Sequence, residues 1–228
     1  MEYKRASLDT CADATGTVVV IDVLRAFSTA AYAFAAGATE ILLVSTVDEA
    51  LALRNRQPGS LAMGEVGGLP VPGFDLSNSP TQLAGLDLTG RRLIQRTSHG
   101  TQGLVRSAEA EVLLAASLVC ARATARYIAR LRPQSVTFII TGQSEQDRAD
   151  EDKACAEYIQ ALVEGFVPDT LPFIRRVFES QAGRIFADPA QPKFPALDLD
   201  YCTHVNRFDL AMRAERVDGL LVLRSVHP

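Results

Sequence analysis

The stretch "TVVVID", residues 17–22, is an almost unbroken apolar run that ends on a carboxylate, and "STAAYAFAAG" behind it is rich in alanine and closes on Gly37. Such runs belong to strands covered on both faces, and a glycine after a run of helix formers marks a helix C-terminus. The pattern predicts strand, loop, helix. "EILLVS" repeats the buried-strand pattern, and in "TVDEALALRNR" Thr46 with Glu49 three positions on has the signature of a capping box. The unit recurs: "SLAM", "RRLIQR", "EVLLAAS" and "SVTFIIT" read as strands, "CARATARYIARL" and "DEDKACAEYIQALVEG" as helices. Further on, "FDLAMRAERVDGLLVLRSV" sets Asp218 and Gly219 between two alternating segments, which predicts a C-terminal β-hairpin with a type I′ turn. Strands alternating with helices predict an α/β fold of three-layer α/β/α build with largely parallel or mixed sheets.

Composition narrows the classes. The chain has 228 residues, 47% hydrophobic and 22% charged, enough for a substantial core. Its 27 acidic and 23 basic residues leave −4, which speaks against a nucleic-acid binder resting on a basic surface. No apolar run approaches the roughly 18 residues of a membrane span, and "MEYKRASLDTCADATG" lacks the apolar centre of a signal peptide, so no membrane contact and a cytoplasmic location are expected. Cys11, Cys120, Cys155 and Cys202 form no CxxC pair, which indicates neither a zinc site nor a disulfide framework.

Four loops follow strands and carry more polar chemistry than a connection requires. In open α/β sheets ligands bind beyond the carboxyl ends of the strands. "DVLRAFST" holds Asp22, Arg25, Ser28 and Thr29; "GEVGGLPVPGFDLSNSP" holds Glu65, Asp75, Asn78 and Ser79. "RTSHGT" holds Thr97, Ser98, His99, Gly100 and Thr101, and "TGQSEQDRADEDKACA" brings an acidic run from Glu145 to Asp152. Several of these residues have a structural reading too. Asp22 suits a helix cap, Arg25 a partner for Asp22, and Ser79 with Pro80 an N-cap followed by an N1 proline. The acidic run suits a solvated helix start. Small and hydroxylated residues in "TSHGT" suit either a plain turn or a backbone nest for an anion.

In order and spacing, "VVVIDVLRAFST", "GEVGG" with "GFDLSNSP", "TSHGT", "DEDKACAEYI" and "DYCTHVNRFDL" resemble the 2-phosphosulfolactate phosphatase family over nearly the whole chain. The resemblance implies two α/β/α parts, taken as residues 1–88 and 89–228, with the active site between them. It also implies a Mg2+-dependent phosphatase that converts 2-phosphosulfolactate to sulfolactate, in the route associated with coenzyme M. Three positions depart from the family pattern: Val66 stands where "GERGG" has arginine, His99 where "TxNGT" has asparagine, and "TGQ" replaces "CAG" after the sixth strand.

On that footing, Asp22, Arg25, Glu65 and Asp152 are the expected catalytic residues, with Asp22, Glu65 and Asp152 as ligands of Mg2+, which takes oxygen donors and keeps several waters. Ser28, Thr29, Asp75, Asn78, Ser79 and residues 97–101 are the expected contacts of a small anionic phosphomonoester. A metal-bound water is the first choice of nucleophile and Asp22 itself the second. A homo-oligomer stays open. Two other classes stay open as well: a non-catalytic α/β module that binds an anion or nucleotide, and a metal-dependent hydrolase of a different small substrate. The nucleotide-binding fingerprints GxGxxG and GxxxxGK[ST] are absent.

Overall fold

The computed structural model describes residues 1–142 and 149–228. In chain order its elements are β1 (Glu2–Ser7), β2 (Gly16–Ile21), α1 (Ala26–Ala35), β3 (Glu40–Leu43), α2 (Val47–Arg56), β4 (Leu61–Val66), β5 (Leu69–Pro70) and β6 (Leu76–Ser77). There follow α3 (Pro80–Leu83), β7 (Arg92–Arg96), α4 (Gly100–Arg106), β8 (Ala110–Ala116), α5 (Ala121–Leu131), β9 (Ser135–Ile140) and α6 (Asp150–Val163). The chain then forms α7 (Leu171–Glu179), α8 (Gln181–Ala187), α9 (Ala196–Cys202), β10 (Ala211–Val217) and β11 (Leu220–Val226). The start and stop signals act as read. Thr46 Oγ1 accepts the Glu49 amide at 3.1 Å, while the Glu49 carboxylate reaches back one residue further, to the Ser45 amide. Ser79 caps α3 with Pro80 at N1, and Asp218 and Gly219, at φ 50° and 81°, form the two-residue hairpin turn.

The strands form one mixed sheet, ordered β1-β9-β2-β8-β10-β11-β3-β7-β4-β5, with β6 also paired to β4. β1, β9, β2 and β8 are mutually parallel, and so are β3, β7, β4 and β6. The hairpin β10–β11 joins these two blocks through antiparallel pairing to β8 on one side and β3 on the other. Strands from residues 1–88 and 89–228 therefore alternate within the same sheet: β2 lies between β8 and β9, and β7 lies between β3 and β4. Across the hairpin the strand direction reverses three times, so the blocks run in opposite senses. A twist of roughly 20–25° per strand accumulates over the path and swings the carboxyl ends of β2 and β7 toward one another.

α1 is the element around which the sheet curls. Nine of its residues, Ala26 to Phe34, are buried, the mark of a helix covered on all sides. Its alanines let Val18 and Val20 of β2, Leu223 of β11, Ile41 of β3 and Leu93 of β7 approach as one apolar cluster. The next positions along β2, Val19 and Ile21, turn to the other face and pack under α5 and α6, while α2 covers Leu42 and Ile94 of the second block. β1 was not marked by its hydropathy: "EYKRAS" is polar because it is an edge strand with much of its surface in water. No helix among the described residues is long and apolar enough to cross a membrane.

Candidate active site

Three carboxylates organise the region where the strand ends converge. Asp22 directly follows β2 and is buried; its Oδ1 accepts the Ala26 amide at 2.9 Å and its Oδ2 the Gly100 amide at 2.9 Å. Gly100 has to be glycine for this approach, since a Cβ there would lie 2.8 Å from Asp22 Oδ2 and 2.8 Å from Ala26 Cβ. Burial pushes the Asp22 carboxyl up, and the Glu65 charge adds to it against the lowering by the two amides and His99. Glu65, near the end of β4, accepts the Ser98 amide on Oε1, and on Oε2 the Gly68 amide at 2.6 Å and Ser98 Oγ at 3.1 Å. Asp152, in the first turn of α6, accepts the Val23 amide at 2.9 Å and the Gly142 amide at 3.2 Å. Burial, the neighbouring Glu151 and Asp22 together push its carboxyl well up.

Arg25 does not pair with Asp22. Its Nη1 donates to Asp198 Oδ2 at 2.6 Å, its Nη2 to the Gly68 carbonyl at 3.2 Å, and the guanidinium lies 4.8 Å over the Phe186 ring. Both members of the ion pair are nearly inaccessible, with 5% and 0% of their side chains exposed. Asp198 Oδ1 also accepts Ser79 Oγ at 2.7 Å, the Thr81 amide at 3.2 Å and the Thr81 hydroxyl. That carboxylate thus fixes α1, α3 and α9 to one point.

A cleft of about 230 Å³ opens over these groups, lined by Asp22, Arg25, Glu65, Asn78, His99 and Glu151 with Gly67, Gly68 and a set of apolar side chains. Asn78 Oδ1 is buried and has no hydrogen-bond partner among the described residues. The structure thus brings together five expected site residues, Asp22, Arg25, Glu65, Asn78 and His99, and sets Asp152 just behind them.

The other expected contacts lie outside the cleft lining. Ser28 donates to the Val23 carbonyl at 2.8 Å, Thr29 is buried inside α1, and Ser79 is given to Asp198. Asp75 holds the Ala62 amide at 2.8 Å and Arg54 at 3.3 Å, away from the cleft lining. Thr97 and Thr101 bond each other's amides at 2.8 and 3.0 Å. The loop amides that suggested an anion nest, those of Ser98, Gly100 and Thr101, are therefore taken up by Glu65, Asp22 and Thr97. The acidic run falls in part on residues 143–148, outside the described residues; of its remainder, Glu151 lines the cleft.

Sequence reasoning missed Asp198, Glu151 as a lining residue, and the Phe186–Phe194 pair. Asp198 sits in "ALDLDYC" with no spacing to mark it, and its partner lies 173 positions away. Alternation with leucines does not mark it either, since in a helix of 3.6-residue period it sets Leu197 outward and Leu199 inward.

The donor set fits a hard divalent cation. Asp22, Glu65, Glu151 and Asn78, all bearing oxygen donors, line the same cleft, and each Asp22 oxygen, engaged by a single amide, keeps a further lone pair. No group of three or more such side chains stands ready-made as a metal cluster among the described residues. Three carboxylates against one guanidinium, itself paired with Asp198, give the cleft an acidic lining.

A family model described as 2-phosphosulpholactate phosphatase matches residues 4–216. A protein of Bacillus subtilis (strain 168) named "Probable 2-phosphosulfolactate phosphatase" is 38% identical over 202 residues, covering 88% of this chain and 87% of the relative. A protein of the same name from Carboxydothermus hydrogenoformans is 34% identical over 226 residues, covering 91% and 90%. One from Thermoplasma acidophilum is 28% identical over 204 residues, covering 90% and 87%. With residues 4–216 matched by the family model and relatives 38% and 34% identical over most of its length, the chain belongs to the 2-phosphosulfolactate phosphatase family, a family of phosphoric monoester hydrolases.

Proposed function

We propose that this protein is a magnesium-dependent phosphatase that hydrolyses 2-phosphosulfolactate, or a closely related small phosphorylated acid, to the free hydroxy acid and phosphate. The observation that carries this reading is the convergence of Asp22, Glu65, Asn78 and Arg25 on one cleft in which Asn78 Oδ1 is buried without a partner among the described residues. Asp22 and Glu65 would hold Mg2+, with Glu151 or Asp152 completing the set from α6. When bound, the cation neutralises charge on the phosphoryl oxygens and lowers the pKa of a coordinated water.

The chain's own groups do the rest. Arg25, held by Asp198 and Phe186, presents its remaining N–H donors to an anionic oxygen without having to reorganise. His99 stands at the mouth and donates to a second oxygen. Asp22, with each oxygen fixed by a backbone amide, would take the proton of the attacking water as that water's oxygen bonds to phosphorus and the phosphorus–ester oxygen bond breaks, and would pass it to the departing ester oxygen, which leaves as the hydroxyl of the free acid. A carboxylate so tethered is a better ligand and base than a nucleophile that must move to phosphorus, which favours water over a phosphoaspartate. A cytoplasmic setting and a place in the coenzyme M route are further parts of this proposal.

Phosphate release from 2-phosphosulfolactate and a panel of phosphomonoesters, with Mg2+ and with excess chelator, tests the reading. Turnover should need Mg2+, and Asp22→Asn should cost roughly 10³-fold or more in kcat with the fold intact, as for loss of a metal-holding group. Full activity in chelator would overturn the metal dependence. Binding of phosphate esters with no turnover of any would favour the anion-binding module instead.

A further inference from the structure

The cleft has two chemically opposed walls. One is acidic, built from Asp22, Glu65 and Glu151; the other is apolar, built from Leu24, Ala182, Ile185, Phe186 and Phe194. The apolar wall is held firmly. Ser180 caps α8 by accepting the Gly183 amide at 2.9 Å, and Phe186 packs edge-on against Phe194 with centroids 5.4 Å apart at 83°. Phe186 is only 5% exposed and lies under the Arg25 guanidinium, so its ring stays in place. The turn between β4 and β5, whose Gly67 and Gly68 line the cleft, flanks them with Val66 and Leu69, 46% and 37% exposed.

A substrate with its phosphate on the acidic, cation-binding side meets this second wall with whatever its carbon skeleton carries. An aliphatic and aromatic wall gains free energy by covering apolar surface, and among the described residues its side chains offer an ionised group no donor apart from Arg25, which lies over Phe186. Arg25 already divides its Nη donors between Asp198 and Gly68, and its remaining N–H groups suffice for one anion, such as the carboxylate of a hydroxy acid.

We infer that this cleft selects phosphate esters of 2-hydroxy acids whose remaining substituent is apolar, an alkyl or aryl group, over the ester that carries a sulfonate there. The inference rests on the reading of the cleft as a phosphomonoesterase site, and narrows it to a substrate class. Ile185, which lines the cleft from the apolar wall, is the residue that sets the preference.

The test measures binding and turnover separately. Calorimetry on the Mg2+-loaded protein would compare phosphonate isosteres of 2-phospholactate, 2-phospho-3-phenyllactate and 2-phosphosulfolactate, which bind without reacting. The phenyl compound should bind at least about tenfold tighter than the sulfonate, the equivalent of burying a few methylene groups. Ile185→Arg, at a position 37% exposed and so tolerant of change, should reverse that order. kcat/KM for the three esters should follow the same ranking. Tighter binding of the sulfonate to the unaltered protein, or a ranking that Ile185→Arg leaves in place, overturns the inference even if all three esters are hydrolysed. The expected ranking without phosphate release from any ester supports the inference and overturns the phosphatase reading.

Discussion

At the scale of single residues, Asp198 is the side chain whose loss should separate positioning from folding. It compensates a buried guanidinium and accepts three further hydrogen bonds, so Asp198→Ala leaves Arg25, Ser79 and Thr81 without their acceptor. Removing one partner of a buried ion pair costs about 3–5 kcal/mol, most of it from the stranded charge. Asp198→Asn keeps the shape and one acceptor oxygen, and should lose much less stability while raising KM, because Arg25 is no longer fixed on the substrate side. Urea unfolding and steady-state kinetics on both variants check this; an unchanged KM in a well-folded Asp198→Asn would show that Arg25 does not need its anchor. Asp22, Glu65, Asn78 and His99 could be singled out in the sequence because each sits at or just beyond the end of a strand, where polar residues lack a core role. Asp198 could not, since what defines it is a contact made only when α9 closes over α1. The same limit applies to Ser28, Thr97 and Thr101: their hydroxyls suit an anion on paper, and only the folded loop reveals that backbone groups already occupy them.

At the scale of elements, Glu40 shows how neighbouring strands are pinned across the block boundary. Its carboxylate on β3 accepts from Arg92 of β7 at 2.6 Å and from Arg224 of β11 at 2.6 Å, tying three adjacent strands at their polar ends. Burial pushes the Glu40 carboxyl up, but the hydrogen bonds and charges of Arg224 and Arg92 outweigh that and hold it below its ordinary value of 4.5. A depressed carboxyl stabilises fully above the ordinary value and loses that contribution as pH falls through the lowered one. Glu40→Gln should therefore unfold at lower urea than the unaltered protein at pH 7, and the gap should close as both are taken to acid well below pH 4.5. A gap that persists unchanged there would assign the effect to packing. Strands β2, β3, β8 and β9 were legible because burial on both faces leaves an unbroken apolar run. α7, α8 and α9 were not, because the chain between residues 171 and 202 mixes exposed leucines and phenylalanines with charges, and its short helices are fixed by packing on α6, on α3 and on one another rather than by pattern.

At the scale of the whole molecule, the hairpin β10–β11 is the seam between the two parallel blocks. Met212, Ala214, Leu221 and Leu223 turn one face of it onto the α1 cluster, so the hairpin also completes the core. Deleting residues 211–226 would leave β8 and β3 as open edges above an uncovered helix, the arrangement that pairs with other chains. The shortened protein should sediment as aggregate, with no active monomer; a soluble, active product would show that the blocks hold together through α1 alone. The hairpin itself was plain in the sequence from Asp218-Gly219, whereas its place between the blocks was not, because strand order depends on edges far apart in the chain. That place has a consequence for how the protein is made. Every strand that the hairpin joins leaves the ribosome before it, so a nascent chain carries two half-sheets with unsealed borders until residue 226 is out. The cleft draws Asp22 from one half and Glu65 from the other. Its assembly therefore waits for the hairpin to be made, and a chain stalled before residue 211 would yield a client for chaperones and no partial enzyme.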